Sequence, residues 1–183
     1  MSDKMVIFQC APTLAGLKTA NMFSCTYRSK RELWDEIRAL NKRLVPKGLR
    51  VLPLQYVNNR ALIYIYRTKL LKRDLMEQDA IQLLERCGYP AVNPESSLCH
   101  LIKRFQESKE FPHEVGVFLG YPPEDVCGFI ENHACGHKCV GCWKVYGDAE
   151  KANQTFEKYK KCTQVYCALL EQGKSMDRLI VAG

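Results

Sequence analysis

The sequence predicts an α+β fold: a small antiparallel sheet of three or four strands covered by several helices, with a helical C-terminal half. Three observations carry this. Leu49–Val57 and Arg60–Arg67 are two apolar runs joined by Asn58-Asn59, and asparagine tolerates the positive φ of a tight hairpin. Residues 21–27 alternate Met22, Ser24 and Thr26 with Phe23, Cys25 and Tyr27, the period of a strand. Beyond Thr68 apolar residues recur mainly at helical spacing.

Taken in order, residues 4–10 are apolar and short, a helix turn or an edge strand interrupted at Ala11-Pro12. Thr13 is placed to cap a short helix over residues 14–19, where Ala15 and Gly16 permit close packing. Ser29 and Glu32 have capping-box spacing. The helix they open carries Trp34, Ile37, Leu40, Asn41 and Leu44 on its inner stripe and Arg38, Lys42 and Arg43 outside. Pro46-Lys47-Gly48 stops it. In the second hairpin arm Leu62, Tyr64 and Tyr66 alternate with Ala61, Ile63 and Ile65, so both faces read as partly buried.

Thr68–Leu75 and residues 79–87 read as helices, with Gly88 just past the second. Asn93-Pro94 supplies an N-cap and a proline at the first helical position. That helix runs to about Glu107, with Leu98, Leu101, Ile102 and Phe105 inside, Lys103 and Arg104 outside, and His100 beside the stripe. Two short helices follow, on either side of Gly120-Tyr121-Pro122-Pro123; Glu124 and Asp125 in the second complement its dipole. Residues 143–146 are a further candidate strand. Gly147-Asp148 opens the last long helix, with Ala152, Phe156, Tyr159, Cys162, Tyr166 and Leu170 facing inward and Gly173 ending it. Residues 176–181 add a last short element.

The 183 residues read as one domain, 1–183, with enough apolar residues for a core. No apolar run is long enough to cross a membrane, and the start is not a signal peptide, so a cytoplasmic protein is expected. Disulfides do not persist in that compartment. Six of the ten cysteines (Cys10, Cys25, Cys87, Cys99, Cys127, Cys167) then read as small buried hydrophobes. The net charge is +7, and residues 28–73 concentrate it, with 13 Lys/Arg against 3 Asp/Glu. Such a segment, with Arg38, Lys42 and Arg43 as its basic patch, suits a nucleic acid or an acidic protein. It lacks aromatic-basic interleaving at groove spacing and any named nucleic-acid motif.

The densest group of soft ligands lies in residues 131–148, which hold Cys135-x3-Cys139-x2-Cys142 with His133 and His137. Short loops converge thiolates and imidazoles on one ion, and Cys162 on the inner face of the following helix is a fourth thiolate. The metal set is Cys135, His137, Cys139, Cys142 and Cys162, holding a structural zinc ahead of an iron–sulfur cluster. The same thiol spacing serves radical enzymes, but too few residues follow for their barrel. A thiol–disulfide couple at Cys139 and Cys142 lacks the helix N-terminus that lowers a thiol pKa. His113-Glu114 is the other polar grouping, with acid–base chemistry as its reading. The function expected is a non-catalytic binding protein with a metal-binding or redox-sensitive loop. The alternatives are a basic interaction module and an enzyme using His113 and Glu114.

Three blocks carry a resemblance: Cys10-Ala-Pro-Thr-Leu-Ala-Gly-Leu-Lys18, the run from Phe111 to Ile130 containing Gly120-Tyr121-Pro122-Pro123-Glu124-Asp125, and Cys142-Trp143-Lys144-Val145-Tyr146-Gly147. Over nearly its whole length the chain resembles a bacterial family catalogued as domain of unknown function 3793. The resemblance implies no activity and gives no residue a role. It implies kinship with a group found mainly in anaerobes, where many free thiols are tolerated.

Overall fold

The computed structural model describes residues 1–90, 93–108 and 110–183. The fold is α+β, with a three-stranded antiparallel sheet and a helical C-terminal half. The chain divides into two compact units, Met1–Leu70 with Lys161–Gly183, and Leu71–Lys160.

The first unit holds the sheet. Strands β1 (Ala20–Thr26), β2 (Leu49–Val57) and β3 (Arg60–Arg67) pair in the order β1-β3-β2. Asn58 and Asn59 sit at φ 48° and 58°, the double left-handed conformation of a two-residue hairpin turn. The register of β2 slips between Pro53 and Gln55, where a proline cannot donate to the ladder. Helices α1 (Asp3–Leu14) and α2 (Lys30–Leu44) lie against β1 and β2. Ile7, Leu14, Ile37, Leu44, Ile63 and Ile65 anchor the core between helices and sheet.

In three places the structure differs from the sequence pattern. Residues 4–10 belong to one helix that continues through Pro12. The proline falls in the last turn, where it removes only the bond to the carbonyl of the exposed Phe8. There is no helix over residues 14–19. The amides of Leu17 and Lys18 turn back to the Pro12 carbonyl, Gly16 takes φ 80°, and the Thr13 hydroxyl donates to Asn21 Oδ1 at 2.8 Å. Trp34 leaves the inner stripe of α2: Leu33 is buried in its place and Trp34 is 41% exposed. The buried set Leu33, Ile37, Leu40, Leu44 has the 4-3-4 spacing of a single helix face. Asn41 stays inward as expected and exchanges two hydrogen bonds with the Val51 backbone, at 2.8 and 2.9 Å.

Two arginines fasten this unit. Arg67 is buried, and its guanidinium donates to the carbonyls of Thr13 and Leu14 (2.6 Å each) and Val181 (2.8 Å). Burial pushes its pKa down, so neutral carbonyls stabilise a desolvated charge. Arg43 binds Asp3 with two hydrogen bonds at 2.8 Å and Asp177, in the short helix α9 (Met176–Leu179), at 2.9 Å. Those hydrogen bonds hold the Asp3 carboxyl below its usual range. A depressed carboxyl contributes stability above its unfolded pKa and loses it as pH falls through the folded value. Arg43→Gln is therefore expected to cost about 1 kcal/mol at pH 7, a figure discounted because the pair is partly exposed. The difference from wild type should shrink below about pH 4. Urea unfolding at both pH values measures it; a cost that persists unchanged at pH 3 contradicts the assignment.

The second unit is helical. It contains α4 (Gln78–Arg86), α5 (Pro94–Glu107), α6 (Val115–Phe118), α7 (Pro123–Glu131) and a two-stranded ribbon of β4 (Cys139–Val140) with β5 (Lys144–Val145). Helices α3 (Thr68–Leu75) and α8 (Ala149–Glu171) run across its boundaries. Asn93 accepts from the Glu95 amide at 2.9 Å, with Pro94 first in the helix, the cap that its sequence predicts. Residues 143–146 do not add a strand to the main sheet; Lys144 and Val145 pair only with β4. Among the described residues no helix is long and apolar enough to cross a membrane.

Candidate functional site

The soft-ligand loop is built on one buried carboxylate. Asp125 in the first turn of α7 is 3% exposed. It accepts hydrogen bonds, each of 2.7 Å, from Trp143 Nε1 and the amides of Tyr146 and Gly147. The Trp143 ring stacks on Tyr121 (4.8 Å between centroids) and meets Phe156 edge-on (4.6 Å). The Tyr121 hydroxyl reaches the Cys142 carbonyl at 3.2 Å. α7 comes so close to this segment that a Cβ on Gly128 would stand 2.5 Å from Tyr146 Cγ. Asp125 thus ties the far side of the loop to the helix that precedes it. In the sequence Asp125 reads as a complement to the helix dipole and as a neighbour of the His113-Glu114 grouping; an indole N–H that needs an acceptor is the signal of its actual role.

The loop leaves α7 through His133 (φ 47°), Ala134 (φ 65°) and Gly136 (φ 69°). Two of these are not glycine, so the turn stores backbone strain. Lysines close it from both sides: Lys144 Nζ donates to the Ala134 carbonyl at 2.8 Å and Lys138 Nζ to the Gly147 carbonyl at 2.7 Å. Cys139 lies in β4 opposite Val145, and Cys142 lies in the hairpin turn, where the Gly141 amide bonds the Trp143 carbonyl at 3.0 Å. Cys135 and Cys142 are exposed, and Cys139 is half-buried with its sulfur 3.9 Å from Asn153 Oδ1. His137 is half-buried, and its Nδ1 is sealed from solvent with no hydrogen-bond partner.

Of the expected metal set, Cys135, His137, Cys139 and Cys142 share this loop. Cys162 belongs to the other unit, on α8, where burial pushes its thiol pKa up. Among the described residues no three His, Cys, Asp or Glu side chains converge closely enough to hold a metal ion, and no cysteine is in a disulfide.

His113 and Glu114 go separate ways. Glu114 is 3% exposed, accepts from the Tyr89 hydroxyl at 2.8 Å and forms an ion pair with Arg104 Nε, also at 2.8 Å. Arg104, expected on the outside of α5, also donates from Nη1 to the Cys87 carbonyl at 3.0 Å. Burial first, then the Glu114 charge, pushes the Tyr89 phenol well above its ordinary pKa. His113 is exposed and rests against Phe111 and Phe129. The carboxylate is committed to a structural lock joining α5, α6 and the end of α4. His100 packs its ring on Tyr89 at 4.5 Å, as part of that lock. In the basic patch, Arg43 is engaged by Asp3 and Asp177, while Arg38 and Lys42 are exposed.

A family model described as Protein of unknown function (DUF3793) matches residues 6–180. The chain belongs to this family. The match bears out the resemblance carried by the three sequence blocks. Both the Asp125 frame and the Glu114 lock of this DUF3793 chain fall inside the matched span. No curated protein and no solved structure matches the chain.

Proposed function

We propose that the chain is a non-catalytic cytoplasmic binding protein whose loop, residues 133–142, takes a soft metal ion, zinc ahead of an iron–sulfur cluster. The observation that carries this reading is the β4–β5 hairpin. It presents Cys139 from a strand and Cys142 from the adjoining turn, next to an imidazole whose Nδ1 has no partner. A buried polar atom without a partner is costly, and a metal satisfies it. Two thiolates and an imidazole with Cys135 make the four ligands of a tetrahedral site. Closing that set requires rearrangement of the loop's side chains, since no three of them converge among the described residues. A glutamate locked by Arg104 and Tyr89 gives no support to the enzyme alternative.

Metal analysis of protein purified without oxygen tests the proposal. About one equivalent of zinc is expected, lost in Cys139→Ser. At a hundredfold excess over Kd, added zinc should stabilise the wild type by about 2.7 kcal/mol. Less than about a tenth of an equivalent in wild type and variant alike, with no stabilisation by added zinc or iron, removes the proposal.

A further inference from the structure

Trp34, 41% exposed, marks a surface of α2 that the sequence pattern hides. Helix α2 turns Leu33, Ile37, Leu40 and Leu44 inward. At about 100° per residue, Arg31, Trp34, Arg38 and Lys42 fall within an arc of about 80° outside that stripe, with Trp34 at the edge nearest Ile37. All four are exposed. They extend over about 16 Å of helix axis. Asp35 is the acid on this face, and it pairs with Arg38 at 3.2 Å in an exposed contact of little energetic weight. More positive charge surrounds the N-terminal end of α2. Arg28 and Lys30 flank its Ser29 cap, and Arg60 lies opposite Thr26 on the neighbouring strand; all three cations are exposed.

We propose that this face of α2 is a contact surface for single-stranded nucleic acid. The Trp34 indole stacks on an unpaired base, and Arg31, Arg38 and Lys42 take the flanking phosphates. An indole set among cations is the combination that single strands need: a flat apolar platform for the base and positive charge for the backbone. Charge alone suits an acidic protein equally well, but leaves the exposed indole without a role. Arginine and lysine also read guanine edges in a duplex groove, but a duplex offers no unpaired base for the exposed Trp34 indole. The proposal lies in the first unit and is independent of any metal in the loop.

The test is fluorescence anisotropy of the full chain with labelled oligo(dT) and oligo(U) of about 15 nucleotides, a length within known single-strand site sizes. Binding should fall steeply as salt rises from about 50 to 200 mM. Trp34→Ala should weaken it about tenfold, the scale of one lost stacking contact, while Trp34→Phe keeps most of it. Arg38→Gln/Lys42→Gln should lower the slope of log K against log salt by about 1.4. Cys139→Ser should bind as wild type does. The substituted side chains are exposed, so unchanged melting curves verify folding. No binding at about 50 mM salt, equal binding by Trp34→Ala and wild type, or competition by polyglutamate as strong as by unlabelled oligonucleotide overturns the proposal. The last outcome assigns the surface to an acidic protein.

Discussion

Asp125→Ala is expected to cost about 4 kcal/mol of folding stability. The carboxylate accepts from three donors at 2.7 Å, two of them backbone amides. Each donor left unsatisfied costs about 1–3 kcal/mol, and water entering the vacated space returns part of it. The loss is local in origin. Without the carboxylate, the Trp143–Gly147 backbone has no anchor on α7, and the indole loses its acceptor. Urea unfolding followed by tryptophan emission measures the cost, and Trp143 emission should shift to the red as its site opens. Asp125→Asn should fall between, because one amide oxygen still accepts while the amide nitrogen faces donors. A cost below about 1 kcal/mol for the alanine variant contradicts the role of Asp125 as the loop's anchor.

The second large effect is expected at Glu114. Removing one member of a buried ion pair costs about 3–5 kcal/mol, because the other charge stays desolvated. Arg104 keeps about a third of its side-chain surface in water. The cost of Glu114→Ala therefore sits at the low end, about 3 kcal/mol, including the orphaned Tyr89 hydroxyl. Glu114→Gln retains an acceptor for Tyr89 and should cost about 1–2 kcal/mol. The variants also separate a lock from a catalytic acid. If the carboxylate is structural, stability falls in both variants and His113→Ala leaves stability within about 0.5 kcal/mol of wild type.

The parts of the fold that were legible in the sequence are those decided locally. Asn58-Asn59 sets a turn through its own backbone preference, and Ser29 and Asn93 cap helices through hydrogen bonds two or three residues away. What was not legible depends on distant partners. The donors to Asp125 are separated from it by 18 to 22 residues, and no spacing rule links them. Arg104 reads as a solvent-facing residue until Glu114 and the Cys87 carbonyl are in place. Trp34 and Leu33 are adjacent, so a pattern reading gives the inner stripe to the larger residue; the helix gives it to the one in phase with Ile37, Leu40 and Leu44. The candidate loop was legible as a loop, since three cysteines and two histidines crowd it. Its conformation was not. It turns on positive φ at His133 and Ala134, which residue preferences reserve for glycine and asparagine.

The discontinuity of the first unit sets an order on how the chain is made. The core that begins with Val6 and Ile7 is completed by Met176, Leu179 and Ile180. Arg67 meanwhile waits for the carbonyl of Val181. During synthesis the sheet therefore leaves the ribosome long before the residues that seal one side of it. The stretch Leu71–Lys160, by contrast, emerges as one uninterrupted segment. The part made first is thus the part finished last, and the portion of its core that Met176, Leu179 and Ile180 cover stays open for most of translation, when a holding chaperone is most useful.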